Sequence, residues 1–371
     1  VEGETERDTS AVDCSRFGNW INADYTERKV IENYQRRFSV SYPNEELPAA
    51  RPCVTSPMYK TFSALGAVWG QQNGLEVVNY FSNSSELPLE TPSFRRSNAF
   101  IPTSREVKAV RDSVGINEVH NFGKFKISGS NSREWLNIIM AGTIPKPNRL
   151  NLNPMLSPKG RIIGDFTVTC LNDEEFQLTA SYGSQEYHLR WFLLNKKNGV
   201  NIENISDKMN GFQIAGPNSR KLLQKVTNFS LEDFKFRDAH TILVGNISCL
   251  VQRVSYTGDL GFEIYCSPNK QCDLWEVLWS AGAEFDIKPF GMRAMMSLRL
   301  DKFFGSWLSE FSPDYTPAET GLDKFINFKK DYDFIGRSAA YSEHINGCKR
   351  KLCIFEVDAD DADVVGYEPI S

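Results

Sequence analysis

Phe125-Lys-Ile-Ser-Gly-Ser-Asn-Ser-Arg-Glu-Trp-Leu136 aligns without gaps to Phe212-Gln-Ile-Ala-Gly-Pro-Asn-Ser-Arg-Lys-Leu-Leu223. Phe, Ile, Gly, Asn, Ser, Arg and Leu coincide. Each copy reads as a strand, a glycine turn, an Asn helix cap and an amphipathic helix. In the first copy Glu134 stands three residues after Asn131, which predicts a capping box. The echo predicts two similar α/β subunits within one domain, joined around a shared centre.

Two carboxylates stand in strand-like surroundings near these copies. Arg253-Val-Ser-Tyr-Thr-Gly-Asp-Leu-Gly-Phe-Glu-Ile-Tyr265 reads as a hairpin whose turn is Thr-Gly-Asp-Leu-Gly. Glu263 falls inside the return strand, between Phe262 and Ile264. An acid on an apolar wall costs free energy unless it meets donors, so a partner is expected, either protein or ligand. Gly160-Arg-Ile-Ile-Gly-Asp-Phe-Thr-Val-Thr-Cys170 is a second apolar strand interrupted by one acid, Asp165. Two such acids facing one pocket can divide binding from proton work. The plainer alternatives are a structurally satisfied Glu263 and an Asp165 that merely ends a turn after Gly164.

Composition narrows the function classes. The 371 residues suit two or three domains, or one large domain with attachments. Apolar residues at 41 % and charged residues at 24 % are ordinary for a globular protein, and 25 Phe with 7 Trp supply a core. Net charge is −5 without a concentrated basic run, which argues against nucleic acid as a partner. No stretch approaches the ~18 uninterrupted apolar residues of a membrane helix. The eight Cys form no Cys-x-x-Cys pair and read as reduced, mostly buried thiols. The four His are widely spaced, so no metal site is expected.

Along the chain, Tyr25 to Gln35 reads as a short helix, and Pro43, Pro48 and Pro52 punctuate a loop. Residues 56 to 81 read as a helix or collar packed on something else. Helices are expected at Leu274–Ala283 and Met292–Asp301. Lys351-Leu-Cys-Ile-Phe-Glu-Val357 reads as a strand opening a new β-rich segment, cut short at Ser371.

Phe94-Arg-Arg-Ser, Asn121-Phe-Gly-Lys-Phe, Met155-Leu-Ser-Pro-Lys-Gly-Arg-Ile-Ile-Gly-Asp165, Ile214-Ala-Gly-Pro-Asn-Ser, Tyr256-Thr-Gly-Asp-Leu-Gly-Phe-Glu263, Ser297-Leu-Arg-Leu-Asp-Lys and Pro317-Ala-Glu-Thr-Gly-Leu occur in that order. Together they resemble the folate-binding aminomethyltransferase domain of the glycine cleavage T-protein. The resemblance is greater to the C-terminal part of the dimethylglycine and sarcosine dehydrogenase family. Tyr42-Pro-Asn-Glu-Glu-Leu, Tyr187-His-Leu-Arg-Trp191, Phe290-Gly-Met and Phe334-Ile-Gly-Arg337 favour that branch. The implied fold class is α+β: two similar α/β subunits around a central cavity, followed by the truncated start of a C-terminal β-barrel. The implied divisions are 1–93, the tail and connector of an FAD-dependent oxidoreductase part; 94–345, the folate-binding domain; and 346–371, the start of the barrel.

In such proteins a flavin domain in the same polypeptide oxidises an N-methyl amine to an iminium. The folate-binding part then passes the one-carbon unit to tetrahydrofolate, giving 5,10-methylenetetrahydrofolate. This chain has no Gly-x-Gly-x-x-Gly fingerprint, so FAD is expected only in an upstream part. The implied partners are a folate and an N-methylated amine donor, with no nucleic acid and no membrane. The implied compartment is a bacterial cytoplasm or the mitochondrial matrix. The resemblance gives Glu263 the pterin ring, with Tyr256 lining the pocket, and gives Asp165 the reacting nitrogens as catalytic acid. Arg293, shifted from the T-protein's Ala-Arg-Asp arginine, is assigned to the folate tail. Phe304 stands where relatives often carry Tyr, and Leu152 where an aromatic is common; both are assigned to the cofactor pocket. Alternatives are a free-standing folate-dependent demethylase or aminomethyltransferase, and a non-catalytic folate-binding module.

Overall fold

A computed structural model of the chain describes residues 9, 12–13, 17–307 and 309–366. Helix α1 (Ala23–Gln35) and α2 (Tyr59–Ala64) precede the hairpin β1 (Ala67–Gln72) and β2 (Leu75–Phe81). Then come α3 (Phe100–Asp112), β3 (Gly115–Glu118), β4 (Phe122–Ser128), α4 (Ser132–Ile139), β5 (Arg149–Leu156), β6 (Ile162–Asn172) and β7 (Glu175–Ser181). Next are α5 (Gln185–Leu194), β8 (Asn201–Asn204), β9 (Asn210–Ala215), α6 (Ser219–Lys225), β10 (Ala239–Val244), β11 (Ile247–Gln252) and β12 (Gly261–Cys266). The chain continues through α7 (Gln271–Gly282), β13 (Lys288–Pro289), α8 (Met292–Leu300), α9 (Pro317–Thr320) and α10 (Arg337–Asn346).

The expected doubling is present and extends past the two echoing segments. One sheet has the order β5-β6-β7-β4-β8, and the other β10-β11-β12-β9-β3-β13. Counting from β4 in the first and β9 in the second, the strands follow the same order, with β3 inserted before the last. In both copies the glycine after the echoing strand takes a positive φ, 117° at Gly129 and 128° at Gly216. A Cβ on Gly129 would lie 2.3 Å from the Gly199 carbonyl oxygen, so the turn requires glycine.

Each sheet has one apolar face covered by helices. Phe125, Ile127, Phe166, Val168, Phe176 and Leu178 pack with Trp135 and Phe192. Phe212, Ile214, Val251, Phe262 and Ile264 pack with Leu222, Trp275 and Leu278. Strand alternation therefore turns Lys124, Asp165, Thr167, Thr169, Gln177 and Thr179 of one sheet to the opposite face, and Gln213, Gln252, Glu263 and Tyr265 of the other. These polar faces meet, since Gln252 Nε2 donates to Thr169 Oγ1 at 3.1 Å. Val119, Leu150, Leu250 and Tyr265 supply an apolar patch in the same region.

Several expectations need correction. Asn131 makes no capping bond with its side chain, which instead donates to the Asn198 carbonyl. A bond to the chain entering β8 outcompetes the local cap. Residues 56–81, expected as a helix or collar, form a short helix and a hairpin, because Gln72-Asn73-Gly74-Leu75 turns the chain through the positive φ of Asn73 and Gly74. The hairpin at 253–265 is real as an antiparallel pair, but Arg253-Val-Ser belongs to its loop: β11 ends at Gln252, opposite Glu263. Lys351–Val357 forms no strand; Leu352 donates one backbone bond to Glu319, and no sheet edge adjoins it among the described residues. Of the seven described Cys, only Cys170, Cys249 and Cys266 are buried. Cys14 and Tyr367–Ser371 lie outside the described residues.

Candidate functional site

Glu263 lies in a register row across the second sheet, Gln252–Glu263–Gln213–Asn117. It is 8 % exposed, and Oε2 accepts from the Tyr265 hydroxyl at 2.7 Å. Burial raises its carboxyl to about 7, against the opposing pull of that hydroxyl and of the Lys124 ammonium. Its neighbours hold unspent hydrogen-bonding capacity. Gln213 Oε1, Gln252 Oε1 and, from the facing sheet, Gln177 Nε2 are buried without a partner. Such groups are uncommon in folded proteins, and each costs about 1–3 kcal/mol while unpaired. Two acceptors and a donor around a carboxylate form a cradle for a flat ligand carrying donors and an acceptor on one edge.

Asp165 lies on β6, four residues before Thr169 on the same face, roughly 13 Å along the strand. It faces Pro154 of β5. Its carboxyl is raised to about 6 by burial, opposed by a bond to its own backbone amide. Tyr256, on the loop between β11 and β12, is close enough for the Asp165 charge to raise its phenol, although burial is the larger cause. The Tyr256 hydroxyl donates to the Gly305 carbonyl at 2.7 Å, and the Phe304 ring lies 6.2 Å away at an interplanar angle of 22°. Leu152, directly across from Thr167, packs with Ile162, Trp307, Phe311 and Leu322.

The loop at 253–260 joins the two acids. Ser255 accepts from Gln213 Nε2 at 3.2 Å beside Glu263, and the next residue, Tyr256, stands by Asp165. Asp165, Tyr256, Phe304 and Leu152 thus gather at one end of the inter-sheet face, with Glu263 further along it. Arg293 is elsewhere: its guanidinium grips Glu90 at 2.6 and 2.5 Å. Sequence reasoning did not single out Lys124, Gln177, Gln213 or Gln252. The available signal was alternation: each is a polar residue between apolar neighbours in a strand whose other face is covered. Among the described residues no cluster of His, Cys, Asp and Glu could hold a metal, and no helix is long and apolar enough to cross a membrane. A groove of about 690 Å³ lies elsewhere, lined by Lys159, Thr316, Glu319, Ser342 and Lys349 among others, and includes neither acid.

Residues 58–330 match the model of the GCVT N-terminal domain, and residues 2–56 that of the FAD dependent oxidoreductase central domain. Mitochondrial dimethylglycine dehydrogenase of Mus musculus is 37 % identical over 376 aligned residues, covering 100 % of this chain and 43 % of that protein. The Homo sapiens protein gives the same identity and coverage. The chain therefore spans less than half the length of these relatives. An aminomethyltransferase of Thermoanaerobacter sp. (strain X514) is 33 % identical over 71 % of this chain and 72 % of its own. The crystal structure of glycine cleavage system aminomethyltransferase T from Bartonella henselae superposes with a TM-score of 0.67 at 18 % identity, over 79 % of this chain and 75 % of that one. That likeness concerns the fold.

Proposed function

The chain belongs to the family of dimethylglycine dehydrogenase and the aminomethyltransferases, built on the GCVT N-terminal domain, and from that premise we propose that it moves the methylene of an oxidised N-methyl amine to tetrahydrofolate, giving 5,10-methylenetetrahydrofolate. The observation that carries this reading is the Glu263 carboxylate set between Gln252 and Gln213, whose Oε1 atoms are buried without partners, with the unpartnered Gln177 Nε2 on the facing sheet. A pterin edge offers adjacent ring N–H and amino donors to a carboxylate, and an oxo group to an amide donor. The donor set fits the ligand.

Tetrahydrofolate, when bound, would supply the two nitrogens, one in the pterin ring and one outside it, that accept the one-carbon unit. Glu263 and the three amides orient the pterin, and Leu152, Tyr256 and Phe304 wall it. Asp165, raised to about 6, is ionised for the most part at neutral pH. Its charge steadies a cationic iminium, and its oxygen can take the proton released as the first folate C–N bond forms; the second folate C–N bond then replaces the C–N bond to the donor, which leaves as the demethylated amine. Arg293 reaches the glutamyl tail only on leaving Glu90. The flavin chemistry that makes the iminium is assigned to a part of the polypeptide outside this sequence. The compartment proposed is a mitochondrial matrix or a bacterial cytoplasm.

The test is a calorimetric titration of tetrahydrofolate paired with single-turnover transfer. Glu263→Ala is expected to weaken binding at least about tenfold, one charge-assisted contact being worth ~1.5–3 kcal/mol. Asp165→Asn is expected to bind normally but transfer about 10²-fold more slowly or worse. Unchanged affinity in the first variant, or an unchanged rate in the second, removes the corresponding role.

A further inference from the structure

Lys124 is 0 % exposed, the most deeply enclosed cation among the described residues. By the repeat it occupies in the first sheet the position that Gly211 holds in the second. Its ammonium donates to the carbonyls of Phe122 at 3.0 Å and His120 at 3.3 Å. It also lies 6.0 Å from the centroid of the Tyr265 ring, across the gap between sheets. Two neutral carbonyls do not balance a buried charge. The carboxylates whose charge acts on it are Glu263 of β12 and Glu118 of β3. Glu118 has one partner of its own: Gln271 Nε2 donates to it at 2.5 Å, while its other oxygen lies 3.2 Å from His120 Nδ1 without a hydrogen bond. Among the described residues Glu263 accepts from one side chain, the Tyr265 hydroxyl, whose ring is the one the lysine ammonium approaches.

We infer that Lys124 is a positioning residue for the folate site: its buried ammonium, reaching from the first sheet toward the second, keeps Glu263 ionised so that the carboxylate can accept from a pterin edge. The inference rests on Glu263 binding that edge, as proposed above. The groups acting on Glu263 are the charge of Lys124 from β4, the Tyr265 hydroxyl from its own strand, and its uncharged register neighbours Gln213 and Gln252 of β9 and β11. Those facing Lys124 are Glu263, Tyr265, Glu118 and His120. Burial lowers the lysine to about 7 and raises the glutamate to about 7, so the pair is poised around neutrality. The Tyr265 hydroxyl and then the Lys124 charge hold the Glu263 carboxyl down against burial, so losing the cation pushes it higher.

The test measures binding of 5-formyltetrahydrofolate, a stable reduced folate whose pterin N–H stays protonated across the range, from about pH 5.5 to 9. The full chain is compared with Lys124→Met, Lys124→Gln and Glu263→Gln. Wild-type affinity is expected to fall as pH drops through about 7, as Glu263 takes up its proton. In Lys124→Met that fall moves upward, and affinity at pH 6.5 drops about tenfold for each unit of displacement. Lys124→Gln retains a donor for the two carbonyls and must displace the fall in the same direction. Glu263→Gln must bind weakly with a flat profile. A fall at the wild-type pH in either folded lysine variant overturns the inference, even if affinity drops uniformly, as does a wild-type profile without an acid limb. A Glu263→Gln variant that binds like wild type instead overturns the ligand assignment itself.

Discussion

Glu106 offers a test in which the direction of the pH effect is fixed by the structure. It lies on α3, 3 % exposed, and accepts from two backbone amides, Phe81 N–H at 2.6 Å and Gly291 N–H at 2.8 Å. One carboxyl thus clips the end of β2 to the start of α8. Glu106→Ala leaves both amides buried and unpaired, at about 1–3 kcal/mol each, or roughly 2–6 kcal/mol together. The wild-type clip carries a penalty of its own. Burial raises Glu106 from 4.5 to about 8, although the two amides pull it down. A carboxyl raised on folding stabilises fully below its unfolded value, and that contribution is lost as pH rises toward its folded value. Between pH 4.5 and 7 this is about 2.5 units at ~1.36 kcal/mol each, or ~3 kcal/mol. Alanine removes that slope. The alanine variant is therefore expected to be most destabilised near pH 5 and to approach wild type near pH 8. Urea unfolding followed by tryptophan fluorescence at both pH values measures the difference. A stability gap that widens with pH, or stays constant, refutes the argument.

Gly211 has φ 155°, and a Cβ there would lie 1.9 Å from the Ile264 carbonyl oxygen. Gly211→Ala is expected to lose more than about 4 kcal/mol or fail to fold. Gly321→Ala, at φ 76° with open space around it, should cost only about 1–2 kcal/mol; equal shifts in thermal midpoint would contradict the steric account. Glu90→Gln frees Arg293 from its ion pair. If the guanidinium then meets the folate tail, affinity for glutamyl-bearing folate should rise a few-fold relative to a pteroate lacking the tail, at ~1 kcal/mol for the contact; parallel changes in both ligands exclude it.

The doubled architecture was legible because it is written locally. Gly129 and Gly216 each require a backbone that other residues resist, and each is followed by Asn-Ser-Arg and a helix. The helices at α1, α7 and α8 were legible for the same reason, within a few residues at their ends. The capping box at Asn131 was not, because the competing Asn198 carbonyl is 67 residues away in sequence. The strand expected at 351–357 failed on similar grounds: β-propensity describes a surface that fits a sheet, and no sheet edge adjoins it among the described residues. In the site, the motifs pointed to the acids and left the amides unread. Gln213 and Gln252 gain meaning only when β9, β12 and β11 come into register around Glu263.

The same register explains why the site is unsymmetrical in a symmetrical scaffold. The echo makes Gln213 the counterpart of Lys126, and the strand pairings then make Glu263 the counterpart of Gln177 and Gln252 that of Thr169. The bond between Gln252 and Thr169 therefore links counterpart positions near the pseudo-twofold axis. Away from it the copies diverge: one row holds a carboxylate where the other holds an amide, and a buried lysine faces a glycine across the repeat. A dry interface between two covered sheets would be better served by apolar residues. Polar side chains there, several with one buried atom left without a partner, lower the stability of the empty protein. In the proposed complex a ligand of complementary edge between the sheets would complete their pairing, so binding would recover the desolvation already spent. On this argument, replacing Gln213 or Gln252 with leucine should stabilise the empty chain while weakening the folate complex, a reversal that a purely structural role for these amides does not produce.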